Sequence, residues 1–504
     1  MRAFLPLLLS LCLPGLASFA WAAQTVTVAV IDTGFDLDHI ALRPKLKLGE
    51  TDEEGALALP GFAGWSFQDN SHLKSALFPE DVIREILLYR DLKAKVHTQG
   101  LAPHEREWLE ARALDKGFKE KLKQFKKHAH GTLVTGILLK EGQGIDVLPV
   151  RGVGIDVPTL VVETDSEAAT PVLKNSEAEF RRQVRLSEER IIRKMKKMLA
   201  WIHHHQIRVV NGSYGVSEKQ ILLRFAEWHK EITGLELDDE RLREIADAYF
   251  ESLYKRAAAI IDQYPQTLFV FSAGNSAQNN DERHHFPSRI RRPNLISVAA
   301  THGDNLAGFS NWGATNVDLA APGVAIPSVV PSAYRKEGTP EYTPASGTSM
   351  AAPAVSNLAA RCLQLNPKLK ASQLKELLLS TGRALPGLAS KIASGHQVDE
   401  QVALRACGLT TQRSFAQALA AARAPLVSIE KDHSAEAPGT QVTPQVLRAL
   451  QEEDLDAPES ATPRESSSPA AGPATGTPDT SAPPASAPSA ALPSAPAATT
   501  APAP

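Results

Sequence analysis

With 504 residues, 43% of them hydrophobic, the chain can build at least one large core and is long enough for more than one domain. Fifty-four lysines and arginines face 57 acidic residues, a formal charge of -3. That balance excludes the basic excess with which nucleic acids or anionic membranes are bound as main partners.

At the N-terminus, Arg2 precedes an apolar run from Leu5 to Leu16, and Ala20, Trp21 and Ala22 form a small-x-small cleavage site. Residues 1–22 therefore read as a removable signal peptide. The run is shorter than the about 20 residues a membrane span needs, and no later stretch is long enough. Bulky Leu11 argues against a lipid on Cys12. The chain is expected outside the cytoplasm, periplasmic or extracellular. Export permits a disulfide between the remaining Cys362 and Cys407, with two buried thiols as the alternative.

Thr25 to Ile31 is an unbroken β-branched and apolar run ending in Asp32, Thr33 and Gly34, as in a strand buried on both faces. Residues 79–127 are rich in Glu, Lys and Arg with apolar residues at helical spacing. Asp115 to Lys127 carries six lysines against two acids, which reads as the solvated face of a helical insertion. His130 to Gly136, followed by Ile137, Leu138 and Leu139, predicts a buried helix. Ser176 with Glu179, and Ser217 with Gln220, are candidate capping boxes. Segments 157–190 and 216–263 are expected to be inserted helices, and Ile191, Met195, Leu199 and Ile202 recur at helical spacing. His128 and the triplet His203 to His205 read as surface or helix-terminal residues, since no partner spacing supports a metal site.

Leu268 to Phe271 forms a second strand-like run, ending in Ser272, Ala273, Gly274 and Asn275. Strands alternating with helices imply an α/β fold with a parallel sheet covered by helices. Sites in such sheets form at the carboxyl ends of strands, where Asp32 and Asn275 both fall. Beyond Cys407 the pattern weakens, so residues 408–456 read as a weakly structured linker. Residues 457–504 are almost wholly Pro, Ala, Ser, Thr and Gly with Leu492 as the one large apolar residue, a composition expected to stay disordered.

The chemistry centres on Ser349, within Ala345, Ser346, Gly347, Thr348, Ser349, Met350, Ala351, Ala352 and Pro353. Small residues let a substrate backbone approach, and a helix starting after the serine supports negative charge on a substrate oxygen. A serine hydroxyl needs an adjacent base, for which His130 is the candidate. Asp32, at the end of an apolar strand, is suited to hold that base in the right tautomer. Asp-Thr-Gly is also an aspartic-peptidase motif, but that mechanism needs a second such aspartate, and no second Asp-Thr-Gly or Asp-Ser-Gly occurs. Asn275 supplies an amide donor for an oxyanion.

These blocks, in the order Asp, His, Ser, resemble those of the subtilisin-like serine proteases, the subtilases, over roughly residues 24 to 406. An α/β-hydrolase would run Ser, acid, His with Gly-x-Ser-x-Gly, whereas Ala351 occupies the last position here. Further strings carry the resemblance: Asn211 to Gly215, Phe309 to Gly313, and Val317 to Gly323. It implies a three-layer fold and an Asp32–His130–Ser349 triad acting on protein or peptide substrates. It also implies an oxyanion hole from Asn275 with the Ser349 N–H. Ser213, Tyr214 and Gly215 would pair with substrate, and with Ala273 and Gly274 would wall the pocket for the residue before the scissile bond. Tyr214 reads equally as a packing residue. No organic cofactor is expected, and the family's calcium loops cannot be mapped.

The spacing departs from compact family members, with Asp32 and His130 98 residues apart, so the insertion is expected near the site, where it could restrict access or dock a partner. Few residues separate the cleavage site from the first strand, so folding is expected to proceed without an N-terminal propeptide. The alternative function is a catalytically silent subtilase-like peptide-binding or regulatory protein.

Overall fold

The computed structural model describes residues 25–47, 64–67, 71–73, 78–98, 101–140, 143–152, 176–329, 331–332 and 342–423. The expected signal peptide, residues 157–175 of the second insertion and the Pro-rich tail lie outside them.

The first half contains β1 (Val26–Asp32), β2 (Trp65–Ser66), β3 (Ser71–His72), α1 (Glu80–Thr98), α2 (Pro103–Leu114), α3 (Lys116–Leu139), β4 (Ile145–Arg151), α4 (Glu177–His204) and β5 (Val209–Gly212). There follow β6 (Val216–Ser217), α5 (Glu218–Thr233), α6 (Asp239–Ile261), β7 (Leu268–Ser272), β8 (His285–Phe286), β9 (Leu295–His302), β10 (Asn305–Leu306) and β11 (Leu319–Pro322). The last part holds β12 (Ile326–Val329), β13 (Tyr342–Ala345), α7 (Thr348–Leu365), α8 (Ala371–Thr381), β14 (Arg383–Ala384), β15 (His396–Gln397), α9 (Glu400–Leu409) and α10 (Phe415–Ala422).

The sheet runs β14-β15-β11-β9-β7-β5-β1-β4-β2-β3, with parallel pairing from β15 through β2. Antiparallel pairs occur at the two edges, β2 with β3 and β14 with β15, and where the short β10 folds back on the end of β9. Side chains alternate across a strand, so β1 feeds two cores. Val28 and Val30 pack with Val355, Leu358, Leu374 and Ala403 of α7, α8 and α9, while Ala29 and Ile31 join Ile191, Phe225 and Phe250 of α4, α5 and α6. Apolar burial on both faces, about 1.5–3 kcal/mol per large side chain, requires the continuous Val/Ile/Leu runs seen in these strands. This is the expected three-layer α/β arrangement.

Local signals set the helix starts. The Ser217 hydroxyl accepts from Gln220 N while the Gln220 side chain accepts from Ser217 N, a complete capping box. At α4, Ser176 accepts from Glu179 N at 3.2 Å, but the Glu179 carboxylate turns to Arg182 and Gln183 instead of closing the box. Ile191, Met195, Leu199 and Ile202 all lie on the buried face of α4.

Helix α3 joins the charged insertion to the histidine segment without a break, from Asp115, whose carboxylate caps Gly117 N and Phe118 N, through His130 to Leu139. Two expectations need correction. The insertion is not only a solvated face, because Phe118 and Phe125 of α3 meet Val82 and Ile86 of α1 in a small core. Finally, the structured body passes Cys407, since Phe415 and Leu419 of α10 pack on the main core. The disulfide option is the one realised: Cys362 of α7 and Cys407 of α9 are bonded, with Cα atoms 5.3 Å apart. Among the described residues no helix is long and apolar enough to cross a membrane.

Candidate active site

Asp32 is the last residue of β1 and is buried. His130 lies within α3, with Nδ1 2.7 Å from Asp32 Oδ1. A carboxylate is an acceptor only, so Nδ1 donates, which leaves Nε2 as the acceptor nitrogen of a neutral ring. Thr33 N and Oγ1 donate to the same oxygen at 2.7 and 3.2 Å, while Oδ2 has no hydrogen bond among the described residues. Close packing brings the pair together: a Cβ on Gly131 would collide with Gly34 O and stand 3.0 Å from Phe35. Glycine after the histidine thus lets α3 abut the loop leaving β1, where Thr132 Oγ1 also accepts from Asp36 N at 2.8 Å.

Ser349 stands in the first turn of α7, a helix packed against α3. N–H groups of a first turn have no partner within their own helix. Gly347, at φ +146°, sets the entry to this helix. A Cβ there would lie 3.6 Å from both Asn275 Nδ2 and Ser349 N, so these donors converge on one spot that glycine keeps open. The Asn275 amide is oriented by its other end, because Oδ1 accepts from Thr348 N and Thr348 Oγ1, each at 2.8 Å. The arrangement suits an oxygen gaining negative charge.

The carbonyl of Ser349 itself is held unusually. In a regular helix Ser349 C=O would accept from residue 353, but Pro353 has no N–H. Ser213 Oγ donates to that carbonyl at 2.9 Å instead. The donor is set by a chain buried throughout: Ser356 Oγ to Asn211 Oδ1 at 2.9 Å, then Asn211 Nδ2 to Ser213 Oγ at 3.0 Å. Ser349 Oγ in turn donates to Ser213 C=O at 3.3 Å. Ser356 and the roles of Asn211 and Pro353 were not read from sequence, although a proline four residues after the serine is a readable signal of a freed carbonyl.

Of the candidate pocket residues, Ser213, Tyr214 and Gly215 follow β5 and Ala273 and Gly274 follow β7, and these strands are parallel neighbours. Both segments reach α7, since Gly274 N donates to Thr348 Oγ1 at 3.1 Å. The Tyr214 ring packs edge-on against Phe271 at 5.8 Å, and burial, with the Asp32 carboxylate adding to it, pushes its phenol up. His203 to His205 do lie at the end of α4. His128, expected at the surface, is instead buried, its ring 5.6 Å from that of Phe78, and burial pushes its imidazole down. Among the described residues no group of three or more His, Cys, Asp or Glu side chains could hold a metal ion.

The subtilase family model matches the chain over residues 23–408. An extracellular protease of Xanthomonas campestris pv. campestris is 37% identical over 126 residues, 25% of this chain and 21% of that protein. Subtilisin BL of Lederbergia lenta is 34% identical over 119 residues, 23% of this chain and 39% of that protein. The aligned stretches thus span about a fifth to two fifths of these relatives' lengths. Among solved structures, a lanthipeptide protease covers 75% of this chain and 86% of its own at 19% identity and a TM-score of 0.43.

Proposed function

The chain belongs to the subtilase family, and from that membership we propose that it is a serine endopeptidase acting outside the cytoplasm. Relatives named as extracellular proteases support the export reading. The observation that carries the catalytic reading is the convergence of Asn275 Nδ2 and Ser349 N beside Gly347.

The reaction is acyl transfer. His130 takes the Ser349 Oγ proton as that oxygen bonds to the peptide carbonyl carbon, and the former carbonyl oxygen, now negative, sits against Asn275 and the Ser349 N–H. His130 passes its proton to the leaving amine as the C–N bond breaks. Water, deprotonated by His130, attacks the Ser349 ester, and the carboxylate product departs as the serine regains its proton. Asp32 orients the imidazole and stabilises its cationic form.

Asn275→Ala should lower kcat roughly 10²- to 10³-fold, the scale established for subtilisins themselves, with KM changed far less. Unchanged turnover would remove the amide from the reaction.

Ser213 acts as a positioning residue. Ser213→Ala leaves the Ser349 carbonyl without its donor, and the loss of about 1.4 kcal/mol expected for such a bond corresponds to about a tenfold fall in kcat. KM should hold, because the hydroxyl points into the protein. Ser213→Ala/Pro353→Ala restores an N–H at position 353 and should regain most of the rate, an effect that general destabilisation cannot produce. A double variant no faster than Ser213→Ala would exclude this role.

The inserted helices line a cavity beside the loop that leaves Asp32. Of about 630 Å³, it lies between Thr33 and Gly34 on one side and Val82, Gln124 and His128 on the other.

A further inference from the structure

If the chain is a peptidase, the side chain preceding the scissile bond enters between the two segments that flank Ser349, and an imidazole already stands there. Residues 213–215 and 273–274 leave neighbouring strands, and both are hydrogen-bonded to the start of α7. Gly215 and Gly274 have no Cβ; His285 occupies the space that Gly215 leaves and shares with Asn311 Nδ2 the space that Gly274 leaves. A Cβ on Gly215 would collide with His285 Cε1 and lie 2.8 Å from Nε2, and one on Gly274 would lie 2.6 Å from Nε2 and 2.9 Å from Cδ2. One edge of one ring therefore touches both walls.

The ring is fixed in place. His285 belongs to β8, paired with β6, and its N–H donates to Tyr254 Oη at 3.1 Å. Nδ1 lies 2.8 Å from Ser288 Oγ, and that hydroxyl donates to His285 C=O at 3.3 Å. With the hydroxyl proton on His285 C=O, Ser288 accepts from Nδ1, the tautomer in which Nε2, the atom between the glycines, is the acceptor. Burial pushes the imidazole down to about 4, so the ring stands neutral at pH 7.

We propose that His285 is the floor of this pocket and restricts the residue before the scissile bond to small side chains: glycine, alanine or serine. Serine gains in addition from its hydroxyl, which can donate to Nε2. A large aromatic side chain buries 150–250 Å² in a typical site, and a floor that crosses both walls leaves no depth for it.

The inference rests on the peptidase reading, so the test must separate the two. Peptides differing in one residue, Gly, Ala, Ser, Leu or Phe before a single cleavable bond, are compared by kcat/KM using the full chain. The wild-type protein should favour the three small residues over Leu and Phe by roughly 10- to 200-fold, the range a filled hydrophobic pocket discriminates. His285→Gly should shift the preference toward Leu and Phe by at least about tenfold, while His285→Gln, which keeps bulk and an acceptor, should retain the small-residue profile. Cleavage by wild-type protein with Phe or Leu preferred, or an unchanged profile in His285→Gly, overturns the proposal. If His285→Gly does not fold, the wild-type ranking alone decides. Absence of cleavage of every peptide, together with failure to react with a serine-directed fluorophosphonate, instead overturns the peptidase reading on which it stands.

Discussion

Replacing His130 by alanine should lower kcat on peptides by about 10⁶-fold, the scale known for loss of the base in this family. The physical reason is that Ser349 Oγ, a neutral hydroxyl at pH 7, attacks only when its proton is removed during the attack, and the base assigned to it is the imidazole held 2.7 Å from Asp32. The fold should survive, because alanine is a better helix former than histidine at position 130. What remains is a buried Asp32 carboxylate bonded to Thr33 alone among the groups described at Oδ1, at a cost of about 1–3 kcal/mol in stability. Kinetics on a peptide substrate, with a urea midpoint measured alongside, separate the two effects. A loss below about a hundredfold in folded protein would exclude His130 as the base.

Asp32→Ala should cost about 10⁴-fold in kcat, less than loss of the base, because imidazole without its carboxylate is still a base but is neither oriented nor stabilised as a cation. Asp32→Asn should lose less than Asp32→Ala. Both contacts to Asp32 from Thr33 and the one from His130 meet Oδ1. An amide oxygen at that position can accept all of them, leaving the NH₂ where Oδ2 now stands without a hydrogen bond among the described residues. Orientation is thereby kept and only charge is lost. Equal losses in the two variants would mean that charge, and not the tautomer, is the contribution of Asp32.

Much of the site was legible because its constraints are local. The β-branched run before Asp32 dictates a buried strand, Gly131 permits the close approach of the histidine helix, and Gly347 with the small residues after it marks an open helix start. Long-range packing was not legible. His128 is buried with its ring against Phe78, and nothing in its own neighbourhood of lysines announces that. The continuity of α3 follows from packing on both of its halves, while the composition of the sequence changes sharply within it. Asn211 and Ser356 are 145 residues apart and meet only because β5 lies beneath α7. His285 likewise acquires its significance from Gly215 and Gly274 on other elements. The helix beyond Cys407, α10, is eight residues long and alanine-rich, so few large apolar side chains announce it, although Phe415 and Leu419 reach the main core.

The most direct test of the central claim is covalent labelling of the nucleophile. Full-length protein treated with a serine-reactive fluorophosphonate, digested and mapped by mass spectrometry should carry one adduct, on Ser349, and the Ser349→Ala variant should carry none. Folded wild-type protein that stays unlabelled, or an adduct on another serine that persists in Ser349→Ala, would contradict the account.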